Sequence, residues 1–204
     1  MLNDTNKKLF IIAFEFIFLA LLFSVVPVAA YYDIVYMAND RLLENSATEW
    51  LQIFFLVISA IVFFNLAIKD KTARGLYALI SSLFIAMIIR ENDNVLDIVF
   101  HGFWKVLVAI AFATVMTIVY KNKGTVIKPL IDKASSRPFT FIMIGLIITL
   151  FFSRLFGTGG LWDPALELLA TDAKTATIKN IVQEGLELLG YSIIAYGSVL
   201  QNRL

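Results

Sequence analysis

The stretch "LFIIAFEFIFLALLFSVVPVAA", residues 9–30, carries a single ionisable side chain, Glu15. A bilayer core about 30 Å thick takes roughly 20 helical residues to cross, and a helix satisfies its own backbone polar groups on the way. Runs of this kind recur along the chain. Hydrophobic residues make up 59% of the 204 and charged residues only 16%, and a soluble domain of this length has too little interior to hide so much apolar surface. The pattern predicts an all-α, polytopic transmembrane helical bundle, a single domain over residues 1–204. Lys7 and Lys8 precede the first run as they would in a signal peptide. Its apolar part is longer than the roughly 7–15 residues of such a segment, so it reads as a retained first span, with cleavage after Ala30 as the alternative.

Six spans are expected, near 9–30, 48–68, 74–92, 98–120, 138–156 and 178–200. Pro138 suits the first turn of the fifth, where a missing N–H costs little. After the fifth span, "DPALELLA" reads as a short amphipathic helix at the interface, with Asp163 as its cap and Pro164 at its first position. Lys and Arg orient the set. Lys7, Lys8, Lys69, Lys71, Arg74, Lys121, Lys123, Lys128, Lys133, Arg137 and Arg203 fall on one side; Arg41, Arg90, Lys105, Arg154, Lys174 and Lys179 fall on the other. The richer side, 11 against 6, is the expected cytoplasmic face, placing both termini inside.

Several chemistries are excluded at once. Cys is absent and His occurs once, which removes thiolate sites, disulfides and multi-imidazole metal centres. A net charge of +1 gives no reason to expect nucleic acid.

With this orientation three polar clusters face outward: "ENSATEWLQ", "IIRENDNVLDIVFHGFWK" and "NIVQEGLELLGY". The apolar part of span three, Gly75 to Ile89, is only about 22 Å long at 1.5 Å per residue, so Arg90 and Glu91 fall near the outer edge of the hydrocarbon. Asn180, Glu184, Glu187 and Tyr191 share one face of span six by their i, i+3 and i+4 spacing. Such a stripe is expensive against lipid and should face the bundle, with Gly185 and Gly190 thinning the helix beside it. Thr48 or Ser46 can cap span two, Glu49 suits its first turn, and Trp50 suits an interfacial anchor. Asp97 reads as the cap of span four, with His101 and Lys105 following at one-turn intervals.

Two readings of this layer are open. Arg90, Lys105 and Arg154 could neutralise Glu49, Glu91, Glu184 and Glu187 in a buried ion-pair network. Alternatively Glu49, Glu91, His101, Glu184 and Glu187 could hold a divalent cation, Ca²⁺, Mn²⁺, Mg²⁺ or Zn²⁺, or titrate without metal. Glu15 is expected to reach toward Lys7 or Lys8.

The elements "ENSATEWLQ", "IREND" and "KNIVQEGLELLGY" together resemble a group of bacterial polytopic inner-membrane proteins. Those carry a Glu-rich span start, an Arg-Glu-x-Asp element and a paired-Glu last helix. The resemblance implies a bacterial inner membrane and a common acidic layer, and it carries no activity. The leading expectation is therefore an outward-facing carboxylate/His cluster binding a cation or protons, in a sensor or accessory subunit. Beside the bilayer, a membrane-protein partner or a second copy of the chain could dock. Two alternatives stand: a metal-dependent hydrolase acting on lipid or peptide with Glu187 as base, and proton or cation conduction between Glu15 and the outer layer.

Overall fold

The computed structural model describes residues 4–36, 46–168 and 175–203. Among these the chain is 89% helix and contains no strand. Arg41 and Lys174, two of the basic residues assigned to the outer side, lie outside the described residues.

The helix α1 (Asp4–Tyr36) runs through Pro27. Ser46 opens α2 (Ala47–Lys69) by accepting from the Glu49 N–H at 3.1 Å. The other free donors of that first turn go to Asp33 near the end of α1. Its Oδ1 accepts from the Ala47 N–H at 2.7 Å, and its Oδ2 from the Thr48 N–H at 3.0 Å and the Thr48 hydroxyl at 2.5 Å. The two helices are thus tied at one end by a side chain that meets the unpaired amides of a helix start. At the other end of α2, Arg74 donates to the carbonyls of Ala67 at 3.1 Å and Ile68 at 3.4 Å, closing the turn into α3 (Arg74–Glu91).

A single turn, α4 (Asp93–Leu96), follows. The chain then unwinds to Gly102, whose φ of 87° is a left-handed value that glycine adopts without strain. Consequently α5 (Phe103–Lys121) begins later than the expected residue 98, and Asp97 does not cap it. A 3₁₀ turn (Lys123–Thr125) leads to α6 (Ile127–Ala134), which exposes Ile127 and Ile131 on one face. Pro138 falls in the first turn of α7 (Arg137–Ile147), which passes through a π-helical turn (Ile148–Phe152) into α8 (Ser153–Phe156). The short helix after it, α9 (Gly159–Leu168), starts ahead of Asp163 and holds Pro164 in its interior. Asp163 is therefore not its cap. The last helix is α10 (Thr175–Gln201).

Four segments are long and apolar enough to cross a membrane: α1, α2, α5 and the continuous stretch Arg137–Phe156. They mark the chain as a membrane protein. The other two long helices, α3 and α10, carry more polar residues and lie inside the bundle. α2 packs between α3 and α10; α10 also packs on α7, α8, α9 and α1, and α5 packs on α3. Polarity is inverted relative to a soluble domain. Gln52, Ser59, Ser153, Ser192 and Ser198 are fully buried, whereas Phe10, Phe14, Phe16 and Leu21 of α1 stand exposed.

Close approach of α7 and α10 depends on glycine. A Cβ on Gly190 would lie 2.0 Å from Thr149 Oγ1 and 2.8 Å from the Gly145 carbonyl, and one on Gly145 would lie 2.6 Å from the Gly190 carbonyl. Small residues on both faces let the two backbones touch. Gly185, expected to share this role, would meet only Val26, at an ordinary 3.7 Å.

Candidate functional site

The inward stripe of α10 meets α2, α3 and α8 near one end of the bundle. Glu187 is the deepest carboxylate, 2% exposed. Its Oε1 is within hydrogen-bonding reach of the Ser153 hydroxyl at 3.1 Å and accepts from Gln183 Nε2 at 3.2 Å. Arg154 Nη2 stands 3.5 Å from the same oxygen. Ser153 also bonds the Thr149 carbonyl across the π-helical turn. Wide turns of this kind re-aim side chains that a regular helix would turn elsewhere, and here Ser153 and Arg154 both reach Glu187.

One turn earlier, Glu184 Oε2 accepts from Gln52 Nε2 at 2.9 Å, and the same amide nitrogen is 3.2 Å from the Glu184 carbonyl. Gln52 is fully buried, and its own Oε1 has no hydrogen-bond partner among the described residues. One turn later, the Tyr191 hydroxyl donates to Glu91 Oε1 at 2.7 Å. Glu91, Glu184 and Glu187 lie close enough for their charges to repel one another, and Glu49 acts on Glu184 in the same sense. Opposing them, Arg90 and Arg154 act on Glu91.

The expected site residues divide accordingly. Glu91, Glu184 and Glu187 come together, with Glu49 and the cations Arg90 and Arg154 within electrostatic range. His101 does not join them. Its side chain is 96% exposed, and its Nδ1 sits 3.0 Å from Asp97 Oδ2. The cause is the unwound segment, in which Asp97 Oδ1 also accepts the Gly102 N–H at 2.9 Å. Lys105 lies against Trp104, 5.5 Å from its ring centre, and forms no ion pair among the described residues. Also among the described residues, no group of three His, Cys, Asp or Glu side chains converges to hold a metal ion.

A second polar contact lies toward the opposite end. Glu15 is bonded by Arg137 at the start of α7 and by the Tyr196 hydroxyl of α10. This corrects the expected pairing with Lys7 or Lys8. Sequence reasoning missed Gln52, Ser153 and Arg137 as partners. Only Gln52 offered a signal, as a lone amide one turn into an apolar span.

Comparison with protein-family models, curated proteins and solved structures finds no match to this chain.

Proposed function

We propose that the chain crosses the membrane six times with both ends cytoplasmic. Its outward carboxylate layer would then take up and release protons, making the protein a sensor or accessory subunit. The polar faces of α3 and α10 are shielded by their neighbours, so these helices can cross without presenting carboxylates to lipid. The basic excess beside Glu15 and Arg137 supports that end as cytoplasmic. The bacterial inner membrane is assigned on the resemblance noted above.

One observation carries the proton reading: the layer holds more carboxylate than cation. Glu91, Glu184 and Glu187 repel one another, yet among the described residues the one salt bridge to these three is Arg154 with Glu187. Full ionisation of three such groups in a low dielectric is costly, and sharing protons relieves it. A half-turn of the Gln52 amide, whose Oε1 has no hydrogen-bond partner among the described residues, would present an acceptor to a protonated Glu184 where Nε2 now donates. Infrared titration of the carboxyl C=O band in nanodiscs tests this. Wild type should contain a titrating component missing from a Glu91→Gln/Glu184→Gln/Glu187→Gln variant; identical titrations would refute the reading. Equilibrium dialysis against Ca²⁺, Mn²⁺, Mg²⁺ and Zn²⁺ is the companion measurement. Stoichiometric retention that Glu184→Ala abolishes would replace protons by a metal.

Conduction gains support from a second feature. Tyr191 and Tyr196 hold Glu91 and Glu15 respectively, and they lie only about 7.5 Å apart along α10 at 1.5 Å per residue. Five residues also turn an α-helix by about 140°, so the two sites sit at neighbouring levels on different faces of α10. Proton flux into proteoliposomes that persists unchanged in a Glu15→Gln/Glu184→Gln variant would eliminate this reading. Hydrolysis has no such support, because Glu187 is buried and paired.

A further inference from the structure

Between α1, α2 and α10 lies a cleft of about 550 Å³, within the general size range of small-molecule sites. Phe14, Phe18, Leu22 and Phe55 line its apolar length, and Glu15, Arg137, Tyr196 and Arg203 form its polar end. The two guanidiniums there differ. Arg137 is paired with Glu15. Arg203 is exposed, makes no ion pair among the described residues, and stands near enough for its charge to act on Tyr196. Two cations against one carboxylate leave a net positive end on a greasy slot. Arg203 lies just past the last residue of α10, and in a helix that spans the bilayer such a position meets the headgroups.

We propose that this cleft binds one acyl chain of an anionic phospholipid, with the phosphate held by Arg203 beside the Glu15–Arg137 pair. The apolar walls select a lipid over a free phosphate. The Arg203 guanidinium, without an ion pair among the described residues, selects an anionic headgroup over a zwitterionic one, whose own cation would cancel the attraction. Positive charge at this end also matches the side on which basic residues gather, where anionic lipid attracts juxtamembrane cations.

The test measures co-purifying lipid by native mass spectrometry, from nanodiscs holding equal phosphatidylglycerol and phosphatidylcholine of identical chains. Wild type should retain phosphatidylglycerol over phosphatidylcholine by roughly tenfold, the ratio that one charge-assisted contact of about 1.4 kcal/mol supplies. Arg203→Gln should bring the ratio near one. Val199→Trp, on an exposed position lining the slot, should reduce retention of both lipids. Inorganic phosphate should displace neither. Equal retention of the two lipids by wild type overturns the proposal without recourse to any variant. An undiminished preference in Arg203→Gln, or displacement by phosphate alone, overturns it equally. None of these outcomes depends on whether the outer layer titrates.

Discussion

Two tyrosines of α10 each hold a carboxylate from another helix, and the two settings differ in charge balance. Tyr196 holds Glu15, which also has Arg137: one anion, one cation and one hydroxyl. Tyr191 holds Glu91, which shares its surroundings with Glu184 and Glu187. The first is a closed pair that joins α1, α7 and α10. The second is an anionic excess gathered by helix packing. A balanced contact fixes geometry and has little reason to change state, whereas an unbalanced one changes its energy whenever a proton arrives. The difference separates a structural clamp from a responsive layer on the same helix.

The largest expected effect comes from breaking the packing that positions both. Gly190→Val would drive side-chain atoms into Thr149 and the Gly145 backbone. We expect a loss on the order of 3 kcal/mol or more, or no monodisperse protein at all. Thermal unfolding in detergent measures this, and near-wild-type stability would mean that α7 and α10 are further apart than described. Next come the two carboxylates themselves. Glu15→Gln removes the anion that Arg137 and Tyr196 share, at a cost of about 1–2 kcal/mol. The figure is held down because the Arg137 side chain is 63% exposed and can turn to water or headgroups. Glu187→Gln should be near neutral, within about 0.5 kcal/mol. It loses a 3.5 Å pair with a half-exposed Arg154 but relieves repulsion on Glu91 and Glu184. Equal costs for these two substitutions would erase the distinction between clamp and layer.

The tyrosines sharpen it. Tyr196→Phe leaves Glu15 its guanidinium, so about 0.5–1 kcal/mol is expected. Tyr191→Phe removes the one hydrogen bond to Glu91 found among the described residues. With Glu91 ionised the cost is about 1.5–3 kcal/mol, falling below about 1 kcal/mol once it is protonated. Unfolding of the Tyr191→Phe protein at two pH values should therefore show a penalty that shrinks on acidification. A penalty independent of pH would make Glu91 as inert as Glu15.

Much of this was legible in the sequence, and the remainder has identifiable causes. Apolar run length announced the helices, and the spacing of Glu184, Glu187 and Tyr191 announced the buried face of α10, because both are local. Partners were not local. Glu15 meets Arg137 and Tyr196 at separations of 122 and 181 residues, and no periodicity encodes that. His101 failed for a different reason. Its one-turn spacing from Asp97 did bring those two together at 3.0 Å. The expected site presumed a helix continuous to Lys105, however, and the left-handed Gly102 broke it and left His101 exposed. The π-helical turn at Ile148–Phe152 was equally invisible, since "ITLFF" reads as ordinary apolar helix.

The smallest effect comes from a carboxylate outside both sites, which supplies the baseline against which they are to be read. Asp70, in the turn between α2 and α3, has its carboxyl held below the usual aspartate value. The chief cause is the Thr72 hydroxyl, which donates to Oδ1 at 2.5 Å; the Thr72 N–H adds a bond at 2.9 Å and Lys133 a distant positive charge. The folded form is therefore the stronger acid, and its unfolded counterpart binds the proton first. The stabilisation from Asp70 is complete above the unfolded aspartate value, near 3.9, and disappears as pH falls through the lower folded value. Asp70→Asn should remove only this component, a constant offset of a few tenths of a kcal/mol above that range for so accessible a turn, and the difference should close as pH falls through it. Near neutral pH the variant and wild type should keep parallel stability profiles. A pH dependence near neutrality that survives Asp70→Asn but vanishes with Glu91→Gln/Glu184→Gln/Glu187→Gln would then belong to the layer on α10, while one that Glu15→Gln abolished would move the responsive site to the other tyrosine.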